Sequence, residues 1–191
     1  MLIAARDVFL ERGFGGATLD EVIARAGGSR ATLYAQFGDK EGLFAAIIDD
    51  VCAGILTALP ATATQDEPET VLRALGLAYM NLLMAPANLA LYRMMIGETA
   101  RFPNLGERVY ASGPLAAAER LADYFRSEVA RGRLALADAD LAARHFLEMV
   151  KGDLHTRALF GVGRRASAAT IDACVTAAVQ TFCVGARPRP R

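Results

Sequence analysis

The chain lacks tryptophan and has only two histidines and three cysteines among its 191 residues. Cys52, Cys174 and Cys183 lie far apart, so they do not form the close grouping that a structural zinc site needs. The same scarcity leaves no evident nucleophile–base pairing of the hydrolase type. The composition therefore predicts free thiols in a reducing compartment, no metal or other cofactor, and no enzymatic activity.

An excess of one charge and a long apolar run are also missing. The formal net charge is zero, and the first 45 residues hold five basic and six acidic side chains. This balance argues weakly against nucleic-acid binding, so any attraction to DNA must come from a few placed side chains and helix N-termini. No apolar run approaches the roughly 18–20 residues that span a bilayer. We expect a soluble cytoplasmic protein with no membrane partner.

Helical spacing of apolar residues dominates the chain, and no segment alternates like a half-buried strand. The sequence therefore predicts an all-α fold of about nine helices, with a three-helix head at the N-terminus. The segment from Pro60 to Pro68 is the clearest linker, because it has little apolar bulk and is bracketed by prolines. After this linker the predicted helices run over 69–85, 87–100, 114–131, 138–161 and 168–184.

The stretch TLDEVIARAGGSRATLYAQFGDKEGLF contains the densest helix signals. Thr18 and Glu21 fit a capping box at the start of a second helix. Gly27 and Gly28 then turn the chain, and Ser29 can cap a third helix. Two short helices across a tight turn leave the second one free to project, which is the shape that a DNA major groove accepts.

The third helix is predicted over about 30–36, with Leu33 and Phe37 turned inward. Gly38 ends it, and Asp39 can cap the helix that follows. The spacing alone is equally compatible with three ordinary short helices that carry a solvated polar face.

The outward residues of the third helix suit base reading. Arg30 can pair bidentately with guanine and Gln36 with adenine, while Ala31 or Thr32 can meet a thymine methyl group or a phosphate. Other groups are placed for phosphate contacts that set register: the N-terminus of the second helix, the Tyr34 hydroxyl and a lysine. The predicted DNA-binding residues are Thr18, Leu19, Ser29, Arg30, Ala31, Thr32, Tyr34, Ala35, Gln36 and Lys40.

Residues 2–47 resemble the N-terminal domain of the tetracycline-repressor (TetR) family of bacterial regulators. The segments AARDVFLERGF, EVIARAG, TLYAQF and GDKEGLF carry the resemblance. It implies a helix-turn-helix DNA-binding domain over 1–47, a helical effector-binding and dimerisation domain over 48–184, and a flexible tail over 185–191. The run LYRMMIGETARFPNLGERVYASGP resembles the C-terminal domain of AefR-like members.

The resemblance implies a ligand-responsive repressor that binds a near-palindromic double-stranded operator as a homodimer and is released by a small apolar effector. Three departures limit what can be carried over. Gly28 stands where the family commonly has valine, which we expect to loosen the turn. Ala35 and Gln36 replace a common aromatic–histidine pair, so base preference does not transfer. The sequence begins almost at the first helix, so contacts from a basic N-terminal arm are either absent or lost with a truncated start.

Bulky, adaptable side chains on the central helices are candidates for the effector site, although most of them are as compatible with a plain core. They are Tyr79, Leu83, Met94, Met95, Phe102, Tyr124, Phe125, His145 and Met149. Apolar stripes on the last two helices predict an isologous four-helix dimer interface, with burial inside the monomer as the alternative. The interface candidates are Phe146, Val150, Leu154, Ala158, Ile171, Cys174, Val175, Ala178 and Phe182.

An enzyme and a helical interaction module are the alternative classes of protein. The string GVGRRA at 161–166 resembles a dinucleotide-binding fingerprint, but it follows a predicted helix and lacks a βαβ setting. A helical interaction module without DNA binding is the stronger alternative, although it would not need the arrangement between Thr18 and Lys40. The effector, the operator, the regulated genes and the choice between repression and activation stay open.

Overall fold

The computed structural model describes residues 1–58 and 66–187. For residues 54–58 only the backbone is described. Every regular element in these ranges is helical, which confirms the predicted all-α fold. The predicted linker falls mostly on 59–65 and the end of the predicted tail on 188–191, both outside the described residues. The helices are α1 (Leu2–Gly16), α2 (Leu19–Ala26), α3 (Arg30–Phe37), α4 (Lys40–Ala58), α5 (Pro68–Leu83), α6 (Pro86–Glu98), α7 (Pro103–Tyr110), a π-helical turn (Ala111–Leu115), α8 (Ala116–Ala130), α9 (Ala139–Lys151), α10 (Leu154–Phe160) and α11 (Ala168–Ala186).

The described residues contain two α-helices beyond the nine expected. The helix predicted over 138–161 is divided at Gly152, whose φ of +50° ends α9 before α10 begins. Helix α7 begins at Pro103, between the helices predicted over 87–100 and 114–131. Proline suits the first position of a helix because its missing N–H would have no partner in that turn. Gly13, with φ of +71°, interrupts α1 shortly before its end at Gly16.

The chain divides into two compact units, and each is discontinuous in sequence. The first unit comprises Met1–Cys52 and Pro86–Leu115, and the second comprises Ala53–Ala85 and Ala116–Arg191. Helices α6 and α7 therefore pack with the N-terminal helices. The division into 1–47 and 48–184 stays a prediction about function along the chain.

An aromatic cluster forms the core of the first unit. The Phe44 ring meets Phe9 and Phe14 edge-on, with centroids 5.3 and 5.6 Å apart, and Phe14 meets Phe102 at 5.0 Å. Leu33 from α3 is fully buried in the same cluster. Such ring pairs contribute about 0.5–1.5 kcal/mol each beyond the burial of their area. The core thus joins α1, α3 and α4 to the start of α7.

A second aromatic cluster lies in the core of the second unit. The rings of Phe125, Phe146 and Phe182 lie 5.1–6.3 Å apart, which brings α8, α9 and α11 together. Gly76 lets α5 approach α11 closely, since a Cβ at this glycine would come within 2.7 Å of Val175 Cγ1. This core is separate in its residues from that of the first unit.

Helix α11 is long and apolar enough, by length and composition alone, to cross a membrane. The apolar pattern of the sequence predicts no such segment. The same helix places Ile171, Val175 and Val179 in the core of the second unit, and its Asp172 pairs with Arg73 of α5. The core helix of a soluble protein has this composition too, so the finding is weak evidence for a membrane span.

Candidate nucleic-acid interface

The predicted capping box at the start of α2 is confirmed. The Thr18 hydroxyl oxygen accepts a hydrogen bond from the Glu21 amide at 3.2 Å, and the Glu21 carboxylate accepts one from the Thr18 amide at 3.1 Å. The backbone bond from Thr18 is the main cause that lowers the pKa of Glu21. Arg12 Nε lies 3.3 Å from the same carboxylate. The N-terminus of α2 is therefore locally well defined and exposes Thr18 at the surface.

The turn between α2 and α3 depends on two glycines. Gly27 has φ of +71° and Gly28 has φ of +117°, conformations that side-chain-bearing residues rarely adopt. Valine, which the family commonly has at the second position, would be strained in this backbone. Gly28 thus suits the course that the turn takes in this chain, and whether it loosens the turn stays a prediction.

Helix α3 has the inward and outward faces that its sequence predicted. The Ser29 hydroxyl caps it by accepting a hydrogen bond from the Thr32 amide at 3.1 Å. Leu33 is fully buried and Phe37 is half-buried. The remaining side chains of the helix are exposed: Arg30, Ala31, Thr32, Tyr34, Ala35 and Gln36. This face can donate and accept hydrogen bonds without disturbing the core.

Arg30 is engaged with a carboxylate that the sequence analysis did not single out. Arg30 Nε donates to Asp20 Oδ1 at 2.7 Å, and Arg30 Nη2 donates to Asp20 Oδ2. Asp20 lies in the first turn of α2, so the pair connects the two helices across the glycine turn. Both side chains stay largely exposed.

The ammonium group of Lys40 already has hydrogen-bond partners within the first unit. Its Nζ donates to the carbonyl oxygens of Gly15 at 3.3 Å and Ala17 at 3.1 Å, and lies 4.9 Å from the centre of the Phe14 ring. Burial lowers the pKa of Lys40. The side chain therefore holds the end of α1 and Ala17 in place, and a phosphate contact would have to compete with these carbonyls.

Asp39 caps α4 as predicted and is also held by a residue from α7. Asp39 Oδ1 accepts hydrogen bonds from the Gly42 amide at 2.6 Å and from Arg108 Nη1 at 2.9 Å. The pKa of Asp39 is lowered, first by the Gly42 amide and then by Arg108. Local sequence signals identified the cap, but nothing in them indicated a partner 69 positions away.

Glu98, at the end of α6, makes a second connection to the end of α1. Its Oε1 accepts a hydrogen bond from the Gly15 amide at 3.4 Å, and Oε2 lies 3.8 Å from Arg101 Nη1. The segment from Gly15 to Ala17, which leads to Thr18, therefore meets side chains of both α4 and α6.

The effector-site candidates do not gather in one core. Met94, Met95 and Phe102 pack against the core of the first unit. Tyr79, Leu83, Tyr124, Phe125 and Met149 belong to or pack against the core of the second unit. His145 is exposed. Their role in effector binding stays a prediction.

Tyr124 and Glu128 form the most polar part of the second core. The Tyr124 hydroxyl is buried and has no hydrogen-bond partner among the described residues. Glu128 is fully buried, and its carboxylate is held by Arg133 through two nitrogens and by Arg131 at 3.4 Å. Burial, together with the charge of Glu128, raises the pKa of Tyr124. The burial of Glu128 was not predicted from the sequence, because a glutamate on a helix is ordinarily solvated.

Many of the predicted dimer-interface residues face into their own chain. The buried ones are Phe146, Val150, Ile171, Val175 and Ala178. The half-buried ones are Leu154, Ala158, Cys174 and Phe182. The strongest apolar stripe of a helix marks its most buried face, and here that face packs within the second unit. The contribution of these residues to a dimer interface stays a prediction.

Two family models together cover most of the chain. Residues 2–47 match the bacterial regulatory proteins of the tetR family, and residues 70–185 match the C-terminal domain of AefR-like transcriptional repressors. The chain belongs to the TetR family. The resemblance read from the sequence is thus confirmed, and with it a DNA-binding, non-enzymatic regulator of transcription.

Solved structures of TetR-family regulators have the same fold. The flavonoid-responsive regulator FrrA is 32% identical over 99% of this chain and 96% of its own, with a TM-score of 0.80. A TetR-family regulator from Mesorhizobium loti MAFF303099 is 27% identical over 98% of this chain and 95% of its own, also with a TM-score of 0.80.

A match to a transcriptional activator is shorter. The activator FasR of Mycolicibacterium smegmatis is 39% identical over 66 residues, which are 32% of this chain and 30% of FasR. The chain thus matches less than a third of the length of this curated relative.

Proposed function

We propose that this TetR-family regulator acts in the cytoplasm as a homodimeric repressor that binds a near-palindromic operator and is released by a small aromatic effector. The observation that carries the proposal is the exposed polar face of α3 beside the capped N-terminus of α2. In such a dimer two α3 helices would enter successive major grooves about 34–36 Å apart.

The DNA contacts in this proposal fall into two groups. Arg30 and Gln36 read bases, and Thr32 with Ala31 and Ala35 meets base edges or thymine methyl groups. Thr18, Leu19, Ser29, Tyr34 and Lys40 contact phosphates, which positions α3 without reading sequence. For Lys40, a phosphate contact requires that Nζ release its hydrogen bond to the carbonyl oxygen of Gly15 or Ala17.

The dimer forms, in this proposal, through the outward faces of α10 and α11. Phe160 is 80% exposed and Val184 is 68% exposed, which is unusual for large apolar side chains. Ala173 and Ala177 lie on the same side of α11 as Val184 and are also exposed, so a second helix could approach closely there. Replacing Phe160 or Val184 with arginine should give monomers in sedimentation analysis, whereas Leu141→Arg, at an exposed position of α9, should leave the dimer intact.

The effector is, in this proposal, a planar aromatic molecule of the flavonoid class. Two observations support this choice: the similarity to a flavonoid-responsive regulator over 99% of this chain, and the buried Tyr124 hydroxyl, which has no hydrogen-bond partner among the described residues of its aromatic core. A phenolic ligand could bond to that hydroxyl while its rings meet phenylalanines. Helix α4, which begins in the first unit and continues into the second, is the route by which effector binding would move the head.

Operator binding is tested by a gel shift with the DNA upstream of the chain's own gene. Wild-type binding should weaken steeply with salt. Arg30→Ala should lose about 10-fold or more in affinity, as expected for loss of a bidentate base contact. Tyr34→Phe should weaken binding to all sequences alike. Failure to shift any intergenic fragment would contradict the proposal.

Effector coupling is tested with a panel of flavones, flavanones and isoflavones. An effector that prefers the DNA-free state should raise the melting temperature of the protein and weaken its operator binding. Tyr124→Phe should reduce the rise in melting temperature, while Tyr110→Phe, at an exposed position in α7, should not. A panel that changes neither property would reject flavonoids as the effector class.

A further inference from the structure

The ion pair between Asp20 and Arg30 leaves the edge of the guanidinium between Nη1 and Nη2 available for a second hydrogen-bonding partner. Asp20 accepts from Nε and from one hydrogen of Nη2. A guanidinium carries five N–H donors in a rigid plane. The two hydrogens of Nη1 and the second hydrogen of Nη2 are therefore not used by Asp20.

The remaining edge matches guanine. Bidentate recognition of guanine needs two parallel donors directed at O6 and N7, and two terminal nitrogens of arginine provide them. An arginine without a second partner can rotate about four side-chain torsions and can bind a phosphate as well as a base. A carboxylate on the Nε side restricts the plane in which the terminal nitrogens lie.

We propose that Asp20 is a positioning residue for base reading, which holds Arg30 so that its terminal nitrogens face a guanine in the operator. The inference rests on the proposed role of Arg30 as a base-reading residue. Asp20 itself does not touch a base in this account. It acts through Arg30.

Charge and exposure distinguish this role from a purely structural one. The arginine and aspartate side chains are 70% and 59% exposed, and exposed ion pairs contribute little to stability. A carboxylate at the N-terminus of a helix that approaches phosphates also weakens binding to any DNA. Asp20 therefore lowers general affinity while it increases discrimination between bases, which is how specificity is obtained by disfavouring wrong sequences.

The head contains a matched control pair. Arg25 Nη1 and Nη2 donate to Glu11 Oε1 and Oε2, both at 2.7 Å, and both side chains are exposed. This bidentate pair joins α1 to α2 and includes no residue of α3. Glu11→Gln thus removes one negative charge from the head, as Asp20→Asn does, without touching the partner of Arg30.

The experiment measures base discrimination by the full-length chain. A site is first selected from a random duplex library with the wild-type protein. Affinities are then measured for that site and for every single-base change in it, with wild type, Asp20→Asn, Glu11→Gln, Arg30→Ala and the Asp20→Asn/Arg30→Ala double variant. Circular dichroism and thermal melting establish that each variant is folded.

We expect Arg30→Ala to abolish discrimination at one guanine of each half-site. Asp20→Asn should reduce discrimination at that same guanine by about 10-fold, within the range of a bidentate base contact, while raising affinity for the mismatched sites. Glu11→Gln should raise affinity on all sites alike and keep the discrimination. In the Arg30→Ala background, Asp20→Asn should have no further effect on discrimination.

Two results would overturn the inference in different ways. If Asp20→Asn raises all affinities equally, as Glu11→Gln does, Asp20 only weakens binding and the operator-binding proposal survives. If Arg30→Ala leaves discrimination unchanged at every position, Arg30 is not a reader and the inference fails together with that assignment. A wild-type chain that selects no sequence would reject the proposed function itself.

Discussion

The two units of the molecule have similar cores but different surfaces. Each core contains three packed phenylalanines, Phe9, Phe14 and Phe44 in the first unit and Phe125, Phe146 and Phe182 in the second. The first unit exposes the polar face of α3 and holds its loops with side-chain hydrogen bonds. Large exposed apolar side chains occur in both units, Ile3 and Ile96 in the first and Phe160 and Val184 in the second. In the proposed function, similar packing supports a surface for DNA in the first unit and a surface for a second copy of the chain in the second.

The largest expected effects come from emptying either core. Phe44→Ala and Phe146→Ala should each lower the free energy of unfolding by about 3–5 kcal/mol, because each removes a fully buried ring and leaves a cavity. Chemical denaturation measures both. Leu141→Ala, at an exposed position outside the proposed dimer surface, should change the free energy by less than about 0.5 kcal/mol. A loss at Leu141 as large as at Phe146 would contradict the assigned core of the second unit.

A smaller effect tests the close approach of α5 and α11 in the second unit. Gly76→Ala should destabilise the protein by about 1–3 kcal/mol, since its Cβ would overlap the stiff, buried Val175 side chain. Gly185→Ala, in α11, would place its Cβ more than 4 Å from any described atom outside its own helix backbone and should stabilise the helix by about 0.5–1 kcal/mol. The two variants differ in sign, and thermal melting distinguishes them. Equal stabilisation by both would contradict the close approach.

The smallest expected change in stability comes from removing one helix cap in each unit. The two variants should differ in their effect on operator binding. Thr18→Ala and Ser167→Ala each remove the side-chain cap of a helix, α2 in the first unit and α11 in the second. Each should cost about 1 kcal/mol. At a temperature where both variants are folded, only Thr18→Ala should weaken operator binding, because only that hydroxyl is proposed to meet a phosphate. Equal weakening by Ser167→Ala would remove the contrast between the units.

The sequence predicts those features of the first unit that depend on residues close together in the chain. The capping box at Thr18, the cap at Ser29 and the inward position of Leu33 depend on residues three or four positions apart, so a single sequence reveals them. The partners of Asp39 and Glu98 are 69 and 83 positions away, and no local pattern indicates them. The polar site was therefore predicted as a set of residues but not as a network.

The second unit shows the opposite limit. Its apolar stripes correctly indicated helices, yet a stripe does not reveal whether it packs against the same chain or a second copy. Val175 on α11 was a dimer candidate and is fully buried within its own chain. The burial of Glu128 likewise depends on Arg133, which follows the end of α8 and returns to it. Such choices are decided by packing among helices, which periodicity does not record.

Base reading by α3 is tested by selecting DNA from a random duplex library with the full-length chain. We expect an enriched near-palindromic site with two half-sites one helical turn apart, and a specific guanine contact that Arg30→Ala removes. No enriched sequence, or an enriched site that Arg30→Ala recognises as well as the wild type, would contradict the claim that α3 reads DNA.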